Sequence, residues 1–254
     1  MNILVANDDG IKAEGIRELV KTLARHADVY VAAPKVQKSA AGHSVSVRDI
    51  MAVRRVEFPQ AKAALEIDGT PADCVKVGIT IFESEGIHID AVFSGINHGG
   101  NLGRDTFYSG TVGAAREGCF CKKPAAAVSV NSHEPVSFEA ACDLAEKVLL
   151  TAFPRIDAHT LININVPNVP KSEVKGLRFC SLGPRDYAQE IEKCGQEGEI
   201  EYYKYGGQEV IYPDLPEELD IVSCQKGYAT ITPLTYDDTD YDVLEKMKGW
   251  EIAK

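Results

Sequence analysis

The sequence predicts an α/β protein: a mostly parallel sheet flanked by helices, with an antiparallel β-hairpin excursion in the C-terminal third. Three observations carry this. The chain opens on a buried-strand pattern, Met1-Asn2-Ile3-Leu4-Val5-Ala6, that runs directly into Asn7-Asp8-Asp9-Gly10. Next come Ile16, Leu19, Val20, Leu23 and Ala24 at the spacing of an amphipathic helix, then a second apolar strand over 29–33 that stops at Pro34, which together make a β-α-β opening. After Pro167 the texture changes to short segments separated by Gly, Pro and charged turns.

The elements follow in order. Residues 35–46 are rich in Ser, Ala and Gly and form a loop at the same sheet edge as Asp8 and Asp9, because parallel strands place their C-terminal ends together. Segments 46–57 and 63–68 read as a short antiparallel pair. Thr70-Pro71-Ala72-Asp73 starts a helix, with Thr as N-cap, Pro at the first helical position and a carboxylate three residues after the cap. Its apolar face is Cys74, Val77, Gly78 and Ile81, widened by Val75, Ile79 and Phe82. A strand over 88–94 leads into a glycine-rich loop from Gly95 to Gly103. Ser109-Gly110-Thr111 opens a small-residue helix, 125–130 returns as a strand, and Ser137 caps a helix with the stripe Ala141, Leu144, Ala145, Val148 and Leu149. Residues 161–166 read as the last strand of the parallel sheet.

Beyond it, 176–182, 187–192 and 199–205 read as irregular antiparallel strands. Residues 217–225 form a short helix, 228–233 a strand, and 240–248 a weak helix ending at Gly249. No repeat or linker interrupts the chain, so 1–254 is expected to be one α/β domain, with 1–170 as core and 171–254 as hairpin and oligomerisation element. The hairpin should expose Tyr202, Tyr203 and Tyr205, a surface of the kind another subunit often covers.

The 254 residues carry a formal net charge of -11, which gives no basic footprint for long nucleic acids. No apolar run approaches the length that spans a bilayer, and no basic stretch precedes the first apolar segment, so the expectation is a cytoplasmic protein without a membrane partner. Seven scattered cysteines make no disulfide framework, and Cys119-Phe120-Cys121 lacks zinc-knuckle spacing; they read as small core residues in a reducing compartment. An anionic ligand would therefore need a metal or backbone donors to hold it.

Four segments should converge at the carboxyl edge of the sheet: Asp8 and Asp9, Ser39, Asn97 with Asn101, and the helix start Ser109-Gly110-Thr111. Two carboxylates, a hydroxyl and an amide oxygen make an all-oxygen shell suited to Mg²⁺ or Mn²⁺. The helix start offers unpaired N–H groups to a phosphate. The chemistry this implies is phosphoryl transfer to a water acidified by the metal, with Asn7 nearby and with either Asp8 or Asp9 as the base. A covalent aspartyl-phosphate of the haloacid-dehalogenase type uses Asp-x-Asp, whereas here the acids are adjacent, which favours direct attack by water. His43 and His98 lie in the same loops and read as exposed loop histidines. Gly95, Gly99, Gly100 and Gly103 make no dinucleotide fingerprint.

These segments resemble the SurE family, the stationary-phase survival proteins that act as metal-dependent nucleoside monophosphate phosphatases. The matching stretches are 7–10, Ser39-Ala40-Ala41-Gly42-His43-Ser44, Gly69-Thr70-Pro71-Ala72-Asp73-Cys74-Val75, Ser94-Gly95-Ile96-Asn97 through Asn101, 108–118, and Gly227-Tyr228-Ala229-Thr230-Ile231-Thr232-Pro233-Leu234. The resemblance implies a Rossmann-like fold. It also implies one divalent cation per subunit on Asp8, Asp9, Ser39 and Asn97, and a phosphate side built from Asn97, Asn101, Ser109, Gly110 and Thr111. It further implies hydrolysis of nucleoside 5'-monophosphates, with 3'-monophosphates and short polyphosphate as further substrates, and a homodimer or homotetramer that exchanges a C-terminal element. The chain departs from the family's Asp-Pro-Arg-Gly and Tyr-Tyr-Trp stretches, having Glu197-Gly198-Glu199 and Tyr202-Tyr203-Lys204, and it has Leu219 where Thr is common before the aspartate. These changes bear on substrate range and subunit exchange rather than on the reaction.

Two rivals compete. A Mg²⁺-binding phosphoacceptor domain of the receiver type also ends its first strand in paired acids, but needs an acceptor Asp after the third parallel strand, where this chain has Ser94-Gly95-Ile96-Asn97. A metal-dependent glycosyltransferase would release nucleotide from a sugar donor instead of inorganic phosphate.

Overall fold

The structure is a computed structural model that describes residues 1–188, 191–211 and 214–250. Its elements in chain order are β1 (Asn2–Ala6), α1 (Glu14–Leu23), β2 (Asp28–Pro34), β3 (Val53–Val56), β4 (Ala63–Ile67), α2 (Pro71–Ser84) and β5 (Ala91–His98). Then come α3 (Asp105–Tyr108), α4 (Gly110–Phe120), β6 (Ala125–Val130), α5 (Glu139–Lys147), β7 (Leu161–Val166) and β8 (Leu177–Phe179). The chain continues with β9 (Tyr187–Ala188), β10 (Ile191–Glu197), β11 (Ile200–Tyr205), β12 (Gln208–Glu209), α6 (Asp220–Gln225), β13 (Ala229–Leu234) and α7 (Tyr241–Met247).

One large sheet runs in the order β3-β4-β2-β1-β5-β6-β7-β13-β8. The six strands from β4 to β7 are parallel, β3 is antiparallel to β4, and β13 is antiparallel to β7 with β8 parallel to β13. The strand alternation of β1 divides the core. Ile3 and Val5 join the layer that includes α1 and α5 side chains, while Leu4 and Ala6 join the layer on α2 and α4. Residues 3–6 are fully buried, which puts the acidic pair that follows β1 at the centre of the sheet's carboxyl edge.

Local signals account for the helix starts. Asp73 N–H donates to Thr70 Oγ1 at 3.1 Å while Thr70 N–H donates to Asp73 Oδ2 at 2.9 Å, the reciprocal pair expected from the sequence. The buried face of α2 is Cys74, Val75, Gly78, Ile79 and Phe82; Val77 and Ile81 sit at its margin. Ser109 caps α4 by accepting from Val112 N–H at 3.0 Å, and Asp240 caps α7 through Val243 N–H at 2.9 Å. Ser137 accepts from Glu139 N–H at 3.1 Å, one residue outside the N-cap of α5.

The structure corrects several boundaries. The glycine-rich stretch does not leave the sheet at Gly95: β5 continues to His98 past a register shift between Ser94 and Asn97, where it pairs again with Ser129 and Val130. The loop proper therefore begins at Gly99. The four-residue helix α3 leaves no signal in the sequence, because its apolar pair Phe107 and Tyr108 lacks periodicity. Residues 161–166 close the parallel run but not the sheet, since β13 and β8 extend it. Of the segment expected at 187–192, Tyr187 and Ala188 pair with β12, residues 189–190 lie outside the described residues, and β10 starts at Ile191. β10 and β11 form a hairpin turning at Gly198, and Tyr202, Tyr203 and Tyr205 on it are exposed, as the sequence predicts. Among the described residues no helix is long and apolar enough to cross a membrane.

Candidate active site

A cleft of about 280 Å³ opens at the carboxyl edge of the sheet. It is lined by Asp8 and Asp9 after β1, Gln37, Ser39 and Ala40 after β2, and residues 97–101 at the end of β5. Asp105, Tyr108 and Ser109 close one side, and His133 after β6 another. No lysine or arginine is among these lining residues.

The two aspartates have different surroundings. Asp8 is 6 % exposed and lies against the start of α4, where Thr111 Oγ1 donates to its Oδ1 at 2.5 Å. Burial pushes its pKa up from 3.8 to about 6; the Thr111 hydroxyl opposes that shift and the charge of Asp9 adds to it, while the Thr111 backbone N–H also favours the carboxylate. The positive end of the α4 dipole thus acts first on Asp8. Gly110 permits this approach: a Cβ there would lie 2.9 Å from Asp8 Cβ and 3.0 Å from its Oδ2. Asp9 is less buried, and its oxygens accept from the Gln37 side chain and the His98 backbone N–H, each at 3.1 Å.

The other expected residues divide between the cleft and its scaffold. Ser39 is exposed at the rim, and Asn97 donates its amide to Gly99 O at 2.8 Å, which orients its oxygen as the remaining donor atom. Asn101 borders the cleft but is also structural. Its N–H donates to Asn165 Oδ1 at 2.7 Å, its side chain donates to Ser129 Oγ at 2.8 Å, and its carbonyl accepts from Asn163 and Asn165 at 2.8 and 3.0 Å. Asn7 does not line the cleft: it is fully buried and donates to Gly10 O at 2.9 Å, holding the turn that carries both acids. Gly110 and Thr111 likewise reach the site through Asp8. His43 lies outside the lining, with Nε2 2.8 Å from Glu117, which also takes Lys76 at 2.8 Å. The His98 ring stacks on Phe138 with centroids 5.2 Å apart.

Gln37, Asp105, Tyr108 and His133 were not singled out in the sequence, since each is an ordinary loop or short-helix residue there. Asn163 and Asn165 carried a readable signal: two amides on the same face of an otherwise apolar buried strand need partners. The backbone groups of Asn101 partner both amide nitrogens and the Asn165 oxygen.

The donor set fits a hard divalent cation. Asp8, Asp9, Ser39 and Asn97 all border one cleft and offer oxygen atoms, the ligand type Mg²⁺ and Mn²⁺ take. Among the described residues no three His, Cys, Asp or Glu side chains gather as a metal cluster, so neutral oxygens and water would have to complete the shell. β5, which flanks β1 on the side opposite β2 and so stands where a receiver's acceptor strand would, ends in Asn97 and His98 rather than in an acid.

A mostly parallel sheet with an acidic, oxygen-lined cleft at its strands' carboxyl ends defines an α/β enzyme of the kind that recruits a cation for an anionic substrate. Comparison narrows the class: residues 3–189 match the family model described as survival protein SurE, and the chain belongs to that family. It is 37 % identical over 254 residues to the 5'-nucleotidase SurE of Petrotoga mobilis, covering 98 % of this chain and 99 % of that one. To the 5'-nucleotidase SurE of Syntrophomonas wolfei it is 39 % identical over 250 residues, covering 98 % and 94 %. The crystal structure of the SurE protein from Aquifex aeolicus superimposes with a TM-score of 0.84 at 32 % identity, covering 98 % of each chain. The Rossmann-like sheet expected from the sequence is therefore present, and family membership implies a divalent-metal dependence.

Proposed function

We propose that this protein is a metal-dependent phosphomonoesterase, a 5'-nucleotidase that hydrolyses nucleoside 5'-monophosphates to nucleoside and inorganic phosphate. The observation that carries the reading is the Asp8–Asp9 pair in a cleft whose lining, among the described residues, includes no lysine or arginine, so that a phosphate there needs a cation or backbone N–H donors to hold it. One Mg²⁺ or Mn²⁺ per subunit is assigned to Asp8, Asp9, Ser39 and Asn97. When bound, it supplies charge neutralisation and acidifies water.

The chain's own residues do the rest. One carboxylate of the pair orients the attacking water and takes its proton. Thr111 and Gly110 set the position of Asp8, Asn7 holds the Asp8–Asp9 turn, and Asn97, Asn101 and Ser109 face the phosphate. The reading extends to 3'-monophosphates and short polyphosphate, which present the same terminal group. Inorganic phosphate release from a panel of these substrates is expected with Mg²⁺ or Mn²⁺ and is expected to vanish with chelator. Release that survives complete metal removal would overturn the mechanism, and no release with any cation would overturn the activity.

The chain is proposed to act as one unit, 1–254, since β13 and β8 from the C-terminal third complete the sheet begun by residues 1–170. A homodimer or homotetramer that exchanges the C-terminal element is supported by the exposed hairpin, with Ile191, Ile200, Tyr202, Tyr203 and Tyr205, and by exposed Tyr241, Leu244, Met247 and Trp250 around α7. Light scattering is expected to give at least twice the chain mass of 27.6 kDa, and a monomer at micromolar concentration would refute the assembly. A cytoplasmic location accords with seven cysteines that are all free.

A further inference from the structure

Among the described residues three carboxylates border the cleft: Asp8, Asp9 and Asp105. The first two are the pair assigned to the cation. Asp105, at the start of α3, stands outside that set and would repel a phosphate dianion entering the same space. It is not left bare. Its Oδ2 accepts from the Tyr187 hydroxyl at 2.7 Å and lies 3.1 Å from Arg185 Nε. Tyr187 contributes a hydrogen bond without charge, and Arg104 is paired with Asp186 at 2.7 Å. Arg185 is a cation in contact with Asp105, and its side chain is only 12 % exposed.

Arg185 comes from the segment between β8 and β9, in the C-terminal excursion, and reaches both the loop between β5 and α3 and the first residue of α3. Besides Asp105 it donates to the carbonyl of Gly100 at 3.3 Å; its far end is 3.7 Å from Glu209 on β12. The same loop is held at Gly103, whose N–H donates to the buried Asp220 carboxylate at 2.8 Å, and Asp220 also accepts from Gly183 N–H at 2.8 Å. A contact this enclosed keeps its electrostatic strength, since little water or salt reaches it.

We infer that Arg185 is a positioning residue for substrate: it masks the Asp105 carboxylate and so lets a cleft with three acids accept a doubly charged phosphate. The inference rests on the phosphomonoesterase reading above. It makes the C-terminal excursion part of the substrate-binding apparatus, although Arg185 itself does not line the cleft.

The test is the series Arg185→Met, Arg185→Lys, Asp105→Asn and the double variant Arg185→Met/Asp105→Asn. It reads KM and kcat for AMP with Mg²⁺, and the calorimetric Kd of inorganic phosphate with Mg²⁺. Arg185→Met is expected to raise both KM and the phosphate Kd by about tenfold, with kcat within about threefold of wild type, because an unpaired charge acts on binding first. Arg185→Lys should recover part of the deficit. The double variant should return both constants to within about threefold of wild type, since neutralising Asp105 removes the repulsion. A double variant as weak as the single one would show that Arg185 only shapes the loop and would overturn the inference, as would an unchanged Arg185→Met. Should Arg185→Met fail to fold, the decision falls to Asp105→Asn alone, expected to lower the phosphate Kd; an increase refutes masking. Wild-type protein that binds phosphate but does not hydrolyse AMP would sink the phosphomonoesterase reading and leave the phosphate Kd series to decide this one. Wild-type protein that binds no phosphate would end both.

Discussion

Asp8→Asn and Asp9→Asn are each expected to cut phosphate release by at least about a thousandfold and to weaken Mg²⁺ binding, with little loss of fold, because each would remove a charged oxygen from the proposed cation site. The two variants should differ in stability, and the difference tests the environment of Asp8. Burial raises its folded-state pKa from 3.8 to about 6, so between those values the folded metal-free protein holds a proton that the unfolded chain has released. Its stability therefore falls as pH rises through this window, and the cost of the buried charge is fully present above about pH 6. Asn carries no such cost. Without metal at pH 7.5, Asp8→Asn should be more stable than wild type by on the order of 2 kcal/mol, a gain that fades toward pH 4. Mg²⁺ should narrow the gap at pH 7.5 by stabilising only the wild type. Thermal melts at the two pH values, with and without Mg²⁺, measure all of this. A variant that melts below wild type under every condition would mean that Asp8 is held in a favourable ionised state and that the desolvation account is wrong.

The second large effect is expected from Gly110→Val. Nothing in the backbone conformation forbids valine at the first position of α4; the obstacle is space. The new Cβ would stand 2.9 Å from Asp8 Cβ and 3.1 Å from Pro71 Cγ, and the branched methyl groups would press on the carboxylate directly. Either α4 shifts or Asp8 turns away from Thr111. Overpacking of this kind costs about 1–3 kcal/mol of stability, and misplacing a reactive carboxylate by an ångström costs about a hundredfold in kcat/KM. Calorimetric Mg²⁺ binding together with AMP turnover reads both consequences. Wild-type turnover in this variant would mean that the Asp8–Thr111 contact does not matter to the chemistry.

The two experiments probe features of different visibility. Asp8 and Asp9 stand out in the sequence because an apolar strand that ends in adjacent acids is unusual and because strand polarity alone assigns them to the carboxyl edge. The helix starts at Thr70 and Ser109 are equally visible, since capping is a local interaction between residues three apart. The role of Gly110 is not visible, because its closeness to Asp8 depends on how α4 packs across β1. Thr111 shows the same limit: its place near a helix start suggests a phosphate contact, whereas its hydroxyl points at Asp8 Oδ1. His43 shares a loop with Ser39, yet it turns to Glu117 on α4.

The sequence by itself determined the order of strands and helices in the first 170 residues apart from the short α3, the caps of α2 and α4, the acidic pair and the resemblance to a metal-dependent nucleotidase family, because each rests on interactions between near neighbours or on a motif read in place. Only the tertiary structure decided that β5 continues to His98, that β13 and β8 join the main sheet, and that Asn163 and Asn165 hold the carbonyl of Asn101. It alone brought Arg185 to Asp105, 80 residues earlier in the chain. These depend on pairing between segments far apart in sequence, where backbone hydrogen bonding and burial choose the partner and no local pattern records the choice.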